Sequence, residues 1–111
     1  MENCIFCKIA RREIPAKIVG ETELAIAFWD ASPRQPLHIL VIPKMHYSNV
    51  AELTLNDEAS LVAVMKLGSE LAIKHADESF RISFNTGAAA GQTVFHAHGH
   101  ITSRTPRVEL V

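Results

Sequence analysis

The alternation of hydrophobic and polar positions along the chain predicts several short strands around one long helix. The apolar segment Leu24–Trp29 and the β-branched run His38–Ile42, which ends at Pro43, are typical of buried strands. Turn-forming residues fill the segment 30–36 between them. Weaker strand patterns are found at Lys17–Gly20, Phe80–Phe84 and Thr93–Thr102.

Two segments have helical character. The long one is expected to begin at Thr54 as its N-cap, with Asp57 three residues later, and to end near His75. Its apolar residues recur at helical spacing: Leu61, Val64, Met65, Gly68, Leu71 and Ala72. A short helix is expected within Cys4–Glu13, ending before Pro15. This order of elements predicts an α+β domain, with an antiparallel sheet that packs its helix on one face.

Length and charge limit the possible classes of protein. A chain of 111 residues predicts one domain over residues 1–111. The net charge of −1, with both signs mixed along the chain, disfavours a nucleic-acid partner. No apolar run approaches the ~20 residues of a membrane span, and the N-terminus lacks a signal-peptide pattern. We therefore expect a cytoplasmic protein whose two cysteines are metal ligands or free thiols.

Three histidines at alternate positions are the first candidate for chemistry: His96, His98 and His100. In a strand they would share one face, while Phe95, Ala97 and Ile101 would face the core, with Gly99 interrupting that apolar set. The pattern is compatible with a polar outer face. It is also compatible with a zinc site, or with phosphate chemistry in which one imidazole is the nucleophile.

A second candidate is the Cys4-x-x-Cys7 motif, which by itself fits a redox pair, ordinary thiols or half of a metal site. His46 and His96 would complete a zinc site. A third candidate is the pair of segments 85–87 and 91–94, which supply glycines and neutral donors directly before the histidines. It is not a P-loop. Asp30, after an apolar strand, could hold a ribose diol or simply form a turn.

Together these residues resemble the histidine-triad (HIT) superfamily, whose signature is His-φ-His-φ-His-φ-φ with φ apolar. Here it reads as residues 96–102, with Gly99 in place of an apolar residue, and Thr102-Ser103-Arg104 replaces the usual small-residue turn. The similarity to the Hint branch extends over nearly the whole chain, through residues 5–9, 13–17, 27–30, 32–33, 38–44, 46 and 91–94.

The resemblance implies a HIT-like fold and a role for each candidate residue. His98 matches the nucleophile. His100 and His38 match residues that contact the α-phosphate and orient the nucleophile. The substrate-binding residues it implies are Phe6, Ile9, Phe28 and Ala31 for a purine, Asp30 for the ribose, and Asn85, Gln92 and Thr93 for the phosphate and leaving group. Cys4, Cys7, His46 and His96 match a structural zinc site of bacterial members. A homodimer paired through the long helix and a sheet edge is also implied.

The activity that the resemblance implies is hydrolysis of purine nucleoside phosphoramidates through a nucleotidyl-histidine intermediate. Three alternatives remain open at this point. They are a dinucleoside polyphosphate hydrolase of the Fhit type, a nucleotide-binding regulatory protein with weak activity, and a zinc hydrolase that uses the histidine triplet directly.

Overall fold

The structure, a computed structural model, describes residues 3–108. Five strands form one antiparallel sheet in the order β1-β2-β3-β5-β4. The elements in chain order are α1 (Ile5–Ala10), β1 (Ile18–Glu21), β2 (Ala25–Trp29), β3 (Leu37–Pro43), α2 (Val50–Asn56), α3 (Glu58–His75), β4 (Arg81–Ser83), a 3-10 turn (Ala88–Ala90) and β5 (Gly99–Ser103). The predicted α+β fold, with an antiparallel sheet, one long helix and a short N-terminal helix, is confirmed.

Helix α3 covers one face of the sheet. The core between them is built from alternate strand residues and one stripe of the helix: Ala25, Ala27, Leu37, Ile39, Val41, Ile101, Val64, Leu67, Leu71 and Ala72. Gly68 lets the helix approach closely, since a Cβ there would lie 3.0 Å from Ile101 Cδ1 and 3.3 Å from Val41 Cγ1. Among residues 3–108, no helix has the length and apolar content needed to cross a membrane.

The register of the strands places a second set of side chains on the opposite face. Phe28 pairs with Leu40, Leu40 with His100, and His100 with Ser83. Because directly paired residues point to the same side of a sheet, these four side chains form one row. A parallel row runs through His38, Thr102 and Arg81, which are paired in turn. This face, away from α3, carries the candidate chemistry.

The expected N-cap at Thr54 is wrong, because the helical region is divided into two helices. Asn49 caps α2 by accepting from the Glu52 backbone N–H at 2.9 Å, and Asp57 caps α3 by accepting from Ser60 at 3.0 Å. Thr54 lies inside α2, where its hydroxyl donates to the Val50 carbonyl at 2.6 Å. The buried stripe of α3 also differs from the predicted apolar stripe. Leu67 belongs to it, and Met65 does not.

The expected strand Thr93–Thr102 is also wrong over most of its length, since β5 begins only at Gly99. The preceding segment is irregular and is held by contacts outside the sheet ladder, among them the Ala97 N–H donating to the Tyr47 carbonyl at 2.6 Å. Phe95, expected to face the core, is therefore 51% exposed, whereas His96 is fully buried. The alternate positions of the histidines do not place all three on one face of a strand.

Candidate active site and metal centre

A cavity opens on the sheet face opposite α3, and most of the predicted site residues line it. These are Phe6, Phe28, Asp30, Ala31, His38, Asn85, Thr93, His98 and His100. Phe6 belongs to α1. Its ring packs edge-on against the rings of Phe28 and His98, with centroid distances of 5.4 Å and 5.1 Å. One end of the cavity is thus apolar and aromatic, and the histidines lie beside it.

His98 has a single defined tautomer. Its Nδ1 lies 2.7 Å from the carbonyl oxygen of His96, and a carbonyl can only accept, so Nδ1 carries the proton. The lone pair is then on Nε2. The side chain is 7% exposed and lines the cavity, so this nitrogen is available to a bound ligand and shielded from bulk water.

His38 and His100 form a relay whose direction is fixed by a backbone amide. The Arg34 N–H donates to His38 Nδ1 at 3.1 Å, which places the His38 proton on Nε2. That Nε2–H lies 3.0 Å from His100 Nδ1 and 3.4 Å from a carboxylate oxygen of Asp30. His100 Nδ1 therefore accepts, and the proton of the neutral His100 ring is on Nε2. The His100 ring, whose centroid lies 4.9 Å from that of His98, is thus an N–H donor.

Burial keeps these rings neutral. It lowers the pKa of His100 to about 4, with further lowering from the neighbouring His98 and His38. Burial also lowers the pKa of His98 and that of His38, against the opposing effect of Asp30. At neutral pH the cluster consequently offers an unprotonated nucleophile and neutral donors.

Four of the predicted residues converge at the other side of α1 in a cluster that could hold a metal ion: Cys4, Cys7, His46 and His96. The two Nδ1 atoms are 3.2 Å apart, and the sulfur-to-Nδ1 distances are 3.4 Å, 3.4 Å and 3.5 Å. Ideal zinc–ligand bonds in a tetrahedron give about 3.3 Å between two nitrogens and about 3.6 Å between nitrogen and sulfur. The donor set and its spacing therefore fit a tetrahedral thiolate–imidazole site.

The surroundings of this cluster also favour a metal. Cys4 is the N-cap of α1, and the Cys7 N–H donates to the Cys4 sulfur at 3.4 Å. His96 Nε2 lies 2.8 Å from the Pro43 carbonyl, so it carries the proton and Nδ1 is free to ligate. His96 thus contributes its ring to the cluster of Cys4, Cys7 and His46 and accepts from the His98 ring with its carbonyl.

Asp30, His38 and His100 also lie close enough to suggest a metal site. Their tautomers argue against it. A metal on His38 Nε2 would force the His38 proton onto Nδ1, opposite the Arg34 N–H, and would leave two donors facing each other. We therefore interpret this group as a hydrogen-bond relay.

Two predicted substrate-binding residues do not line the cavity. Ile9 is buried behind it, in the cluster with Phe6 and Phe28. The Gln92 amide is occupied by the backbone: its oxygen accepts from Gly87 N–H at 2.8 Å, and its nitrogen donates to the carbonyls of Ser48 and Val94 at 2.6 Å and 3.0 Å. Gln92 in this conformation shapes the loop before the histidines.

Several cavity residues were missed by the sequence analysis, notably Lys17, Arg34, Arg81, Ser83 and Thr102. The alternation in β4 and β5 was the signal that could have identified the last three. The structure also explains Gly99. A Cβ there would lie 3.0 Å from the Phe84 ring and 3.2 Å from Val41 Cγ1, so the neighbouring side chains fill the space of an apolar residue.

Comparisons with known proteins identify the family and agree with the fold. The family model described as HIT domain matches residues 11–107. A HIT-like protein of Synechococcus elongatus is 46% identical over 90% of this chain and 89% of its own length. The purine nucleoside phosphoramidase of Escherichia coli is 36% identical over 95% of this chain and 90% of its own. The structure of a HIT family hydrolase from Clostridium thermocellum superposes with a TM-score of 0.86 at 40% identity, covering 100% of this chain and 96% of the other.

Proposed function

The chain belongs to the HIT family, and we propose that it is a Hint-like hydrolase of purine nucleoside phosphoramidates that acts through a covalent intermediate on His98. The observation that carries the proposal is the arrangement of His98. This residue lines the cavity, its Nδ1 proton is held by the His96 carbonyl, and the His100 ring lies 4.9 Å away between centroids.

The chemistry consists of two displacements at the α-phosphorus. His98 Nε2 attacks and forms a new P–N bond while the P–N bond to the leaving amine breaks. The amine takes up one proton from solvent and leaves. Water then forms a P–O bond as the bond to His98 breaks, which gives the nucleoside monophosphate and returns the proton. The His96 carbonyl stabilises the positive charge of the phosphorylated ring, and His100 Nε2–H donates to a phosphate oxygen.

Recognition of the nucleotide follows from the two ends of the cavity. Phe6 and Phe28, with Ile9 packed behind them and Ala31 at the rim, suit a flat purine. Asp30, placed beside them, supplies a carboxylate for the ribose hydroxyls. Asn85 and Thr93 supply neutral donors for the phosphate, while Gln92 holds the loop that carries them.

Zinc is the metal we propose for the cluster of Cys4, Cys7, His46 and His96. Two thiolates and two imidazoles select zinc among common metals, and they fill all four tetrahedral positions. The ion would be structural. It would join α1 to the segments after β3 and before β5. Thiolate ligands require a reducing setting, in keeping with a cytoplasmic protein.

We also propose that the chain, a single HIT domain over residues 1–111, forms a homodimer through the outer face of α3 and an edge of the sheet. That helix face exposes apolar side chains in a patch that includes Val62, Met65 and Ile73, which are 47%, 36% and 65% exposed. Burying such a patch against a second copy would stabilise a small domain.

A substrate panel tests the proposed activity. Adenosine 5′-phosphoramidate should be turned over with a higher kcat/KM than diadenosine polyphosphates at equal enzyme concentration. A reversed order would point to the Fhit-type activity. Turnover of neither class, with nucleotide binding preserved, would favour the regulatory-protein alternative.

A further inference from the structure

We propose that β4 forms the leaving-group subsite, and that Arg81 selects leaving groups carrying an anionic substituent. This inference rests on the proposed function and specifies the substrate class of the same site. The anion is a carboxylate or a phosphate, recognised by the same guanidinium chemistry.

The order of strands across the cavity face separates the two halves of a substrate. Phe28 belongs to β2, His38 to β3, His100 to β5 and Ser83 to β4, and these strands are neighbours in that order. The nucleoside lies at the aromatic β2 end, and the reacting phosphorus lies over the histidines near β5. The part of the cavity wall that remains for the leaving group is β4 and its extension, which carry Arg81, Ser83 and Asn85.

The charges lining the cavity are unbalanced. Lys17, Arg34 and Arg81 line it, and Asp30 is the carboxylate found with them. Within residues 3–108, none of these three cations forms an ion pair, whereas Arg11, Arg12 and Lys44, all outside the cavity, are each paired with a glutamate. These groups leave an excess of two positive charges, and the single negative charge of an α-phosphoramidate compensates only one of them.

Arg81 is the cation of the three that lies on the leaving-group side. Lys17 precedes β1 and Arg34 precedes β3, whereas Arg81 pairs with Thr102, one strand beyond β5 on its outer side. Two residues along a strand and one strand across amount to about 8 Å between the Cα atoms of Arg81 and His100. A long arginine side chain can span this distance and meet an anion a few bonds from the scissile nitrogen.

Four adenosine phosphoramidates test the assignment. Their leaving amines are β-alanine, its neutral amide, phosphoethanolamine and neutral ethanolamine. We would measure kcat/KM for each with wild type, Arg81→Gln, Arg81→Lys and the control Arg104→Gln. Arg104 follows β5, is exposed and does not line the cavity, and its substitution changes the net charge equally. The ratio of charged to neutral substrate within each variant cancels any general loss of activity or folding.

The wild type should prefer at least one charged substrate over its neutral partner. Arg81→Gln should reduce that ratio by at least about fivefold, the effect of an exposed charge pair of about 1 kcal/mol. Arg81→Lys should restore part of it, and Arg104→Gln should leave it unchanged. Preference for β-alanine alone identifies a carboxylate, and preference for phosphoethanolamine alone identifies a phosphate.

A wild-type ratio near one for both pairs, with normal turnover of the neutral substrates, would overturn the role of Arg81 and leave the proposed function intact. A charge preference that Arg81→Gln does not alter would also overturn it. Hydrolysis of none of the four would contradict the proposed function, and this inference with it.

Discussion

At the scale of single residues, the site depends on which ring nitrogen of each histidine carries its proton. Backbone groups decide this in three rings: the Pro43 carbonyl for His96, the His96 carbonyl for His98 and the Arg34 amide for His38. Such partners are invisible in the spacing of the histidines. They leave each ring with the free atom that its proposed role requires, a metal ligand, a nucleophile or a donor.

The pH dependence of stability follows from His100. The unfolded chain binds a proton to this ring near the ordinary pKa of 6.5, but the folded chain does so only near about 4, because burial and the neighbouring His98 and His38 disfavour the cation. Between these values the unfolded state binds more protons. The stabilising contribution is therefore complete above pH 6.5 and is lost as the pH falls toward about 4.

His100→Gln should accordingly flatten the fall in unfolding free energy over this acid range. Urea titrations of wild type and variant at several pH values would measure it. Both proteins keep the metal ligands, so acid release of a metal affects them equally. Parallel stability curves for the two proteins would contradict the lowered pKa.

The candidate site could be predicted from the sequence only in part. The histidine triplet and the Cys4-x-x-Cys7 motif have residue types and spacings that indicated candidate chemistry. The structure places His98 and His100 with Asp30 in the cavity, and Cys4 and Cys7 with His96 in the other cluster. Ile9 and Gln92 have no such signal, because the orientation of a side chain in a short helix or loop depends on tertiary contacts. Arg81 stands at a polar position of the predicted strand Phe80–Phe84, and that alternation was the signal that could have identified it.

At the scale of elements, strong periodicity predicted β2, β3 and the body of α3. The weaker patterns at Lys17–Gly20 and Phe80–Phe84 correspond to β1 and β4, whereas the pattern at Thr93–Thr102 failed over most of its length. The segment before β5 alternates in sequence, yet the buried His96 binds the carbonyl of Pro43 at the end of β3, and the Ala97 amide binds the Tyr47 carbonyl beyond that strand. Asn49, with its strong capping side chain, begins a helix earlier than the apolar stripe indicates. Local pattern could not anticipate these tertiary partners.

Packing between β4, β5 and β3 gives a test of the Gly99 interpretation. A Cβ at Gly99 would press on the Phe84 ring and on Val41, which is almost fully buried and cannot yield. Gly99→Val should therefore lower the free energy of unfolding by about 1–3 kcal/mol. Adding Phe84→Val should recover part of this loss, as chemical denaturation of both single variants and the double variant would show. Additive effects would contradict the interpretation.

The proposed zinc site connects α1 with two loops, so its loss should affect stability first. Cys4→Ser should remove the metal and lower Tm more than it lowers kcat of the folded fraction. Metal analysis should find about one zinc per wild-type chain. A chelator should lower Tm of the wild type and have little effect on Cys4→Ser. Metal-free protein of unchanged stability would refute the site.

At the scale of the whole molecule, the two faces of the sheet differ in what they contact and carry. One face is covered by α3, and the other is partly covered by α1 and carries the candidate chemistry in its cavity. The outer face of α3 exposes Val62, Met65 and Ile73, and this patch is where we propose that a second copy binds.

Light scattering at micromolar concentration should give the mass of a homodimer. Met65→Glu should shift the protein toward monomer by placing a charge in the interface. Leu55→Glu is the matched control, because Leu55 is an exposed apolar residue of α2, 83% accessible, outside that patch. A wild-type protein that is monomeric at this concentration would contradict the proposed homodimer.

The central claim is that His98 forms the covalent bond to the nucleotide, and its most direct test is turnover of adenosine 5′-phosphoramidate by wild type and His98→Ala at saturating substrate. Removal of the attacking nitrogen should lower kcat by about 10³-fold or more. Binding of AMP, measured on the same samples, should largely survive, since other residues contact base and ribose. Comparable turnover by the two proteins would contradict the account.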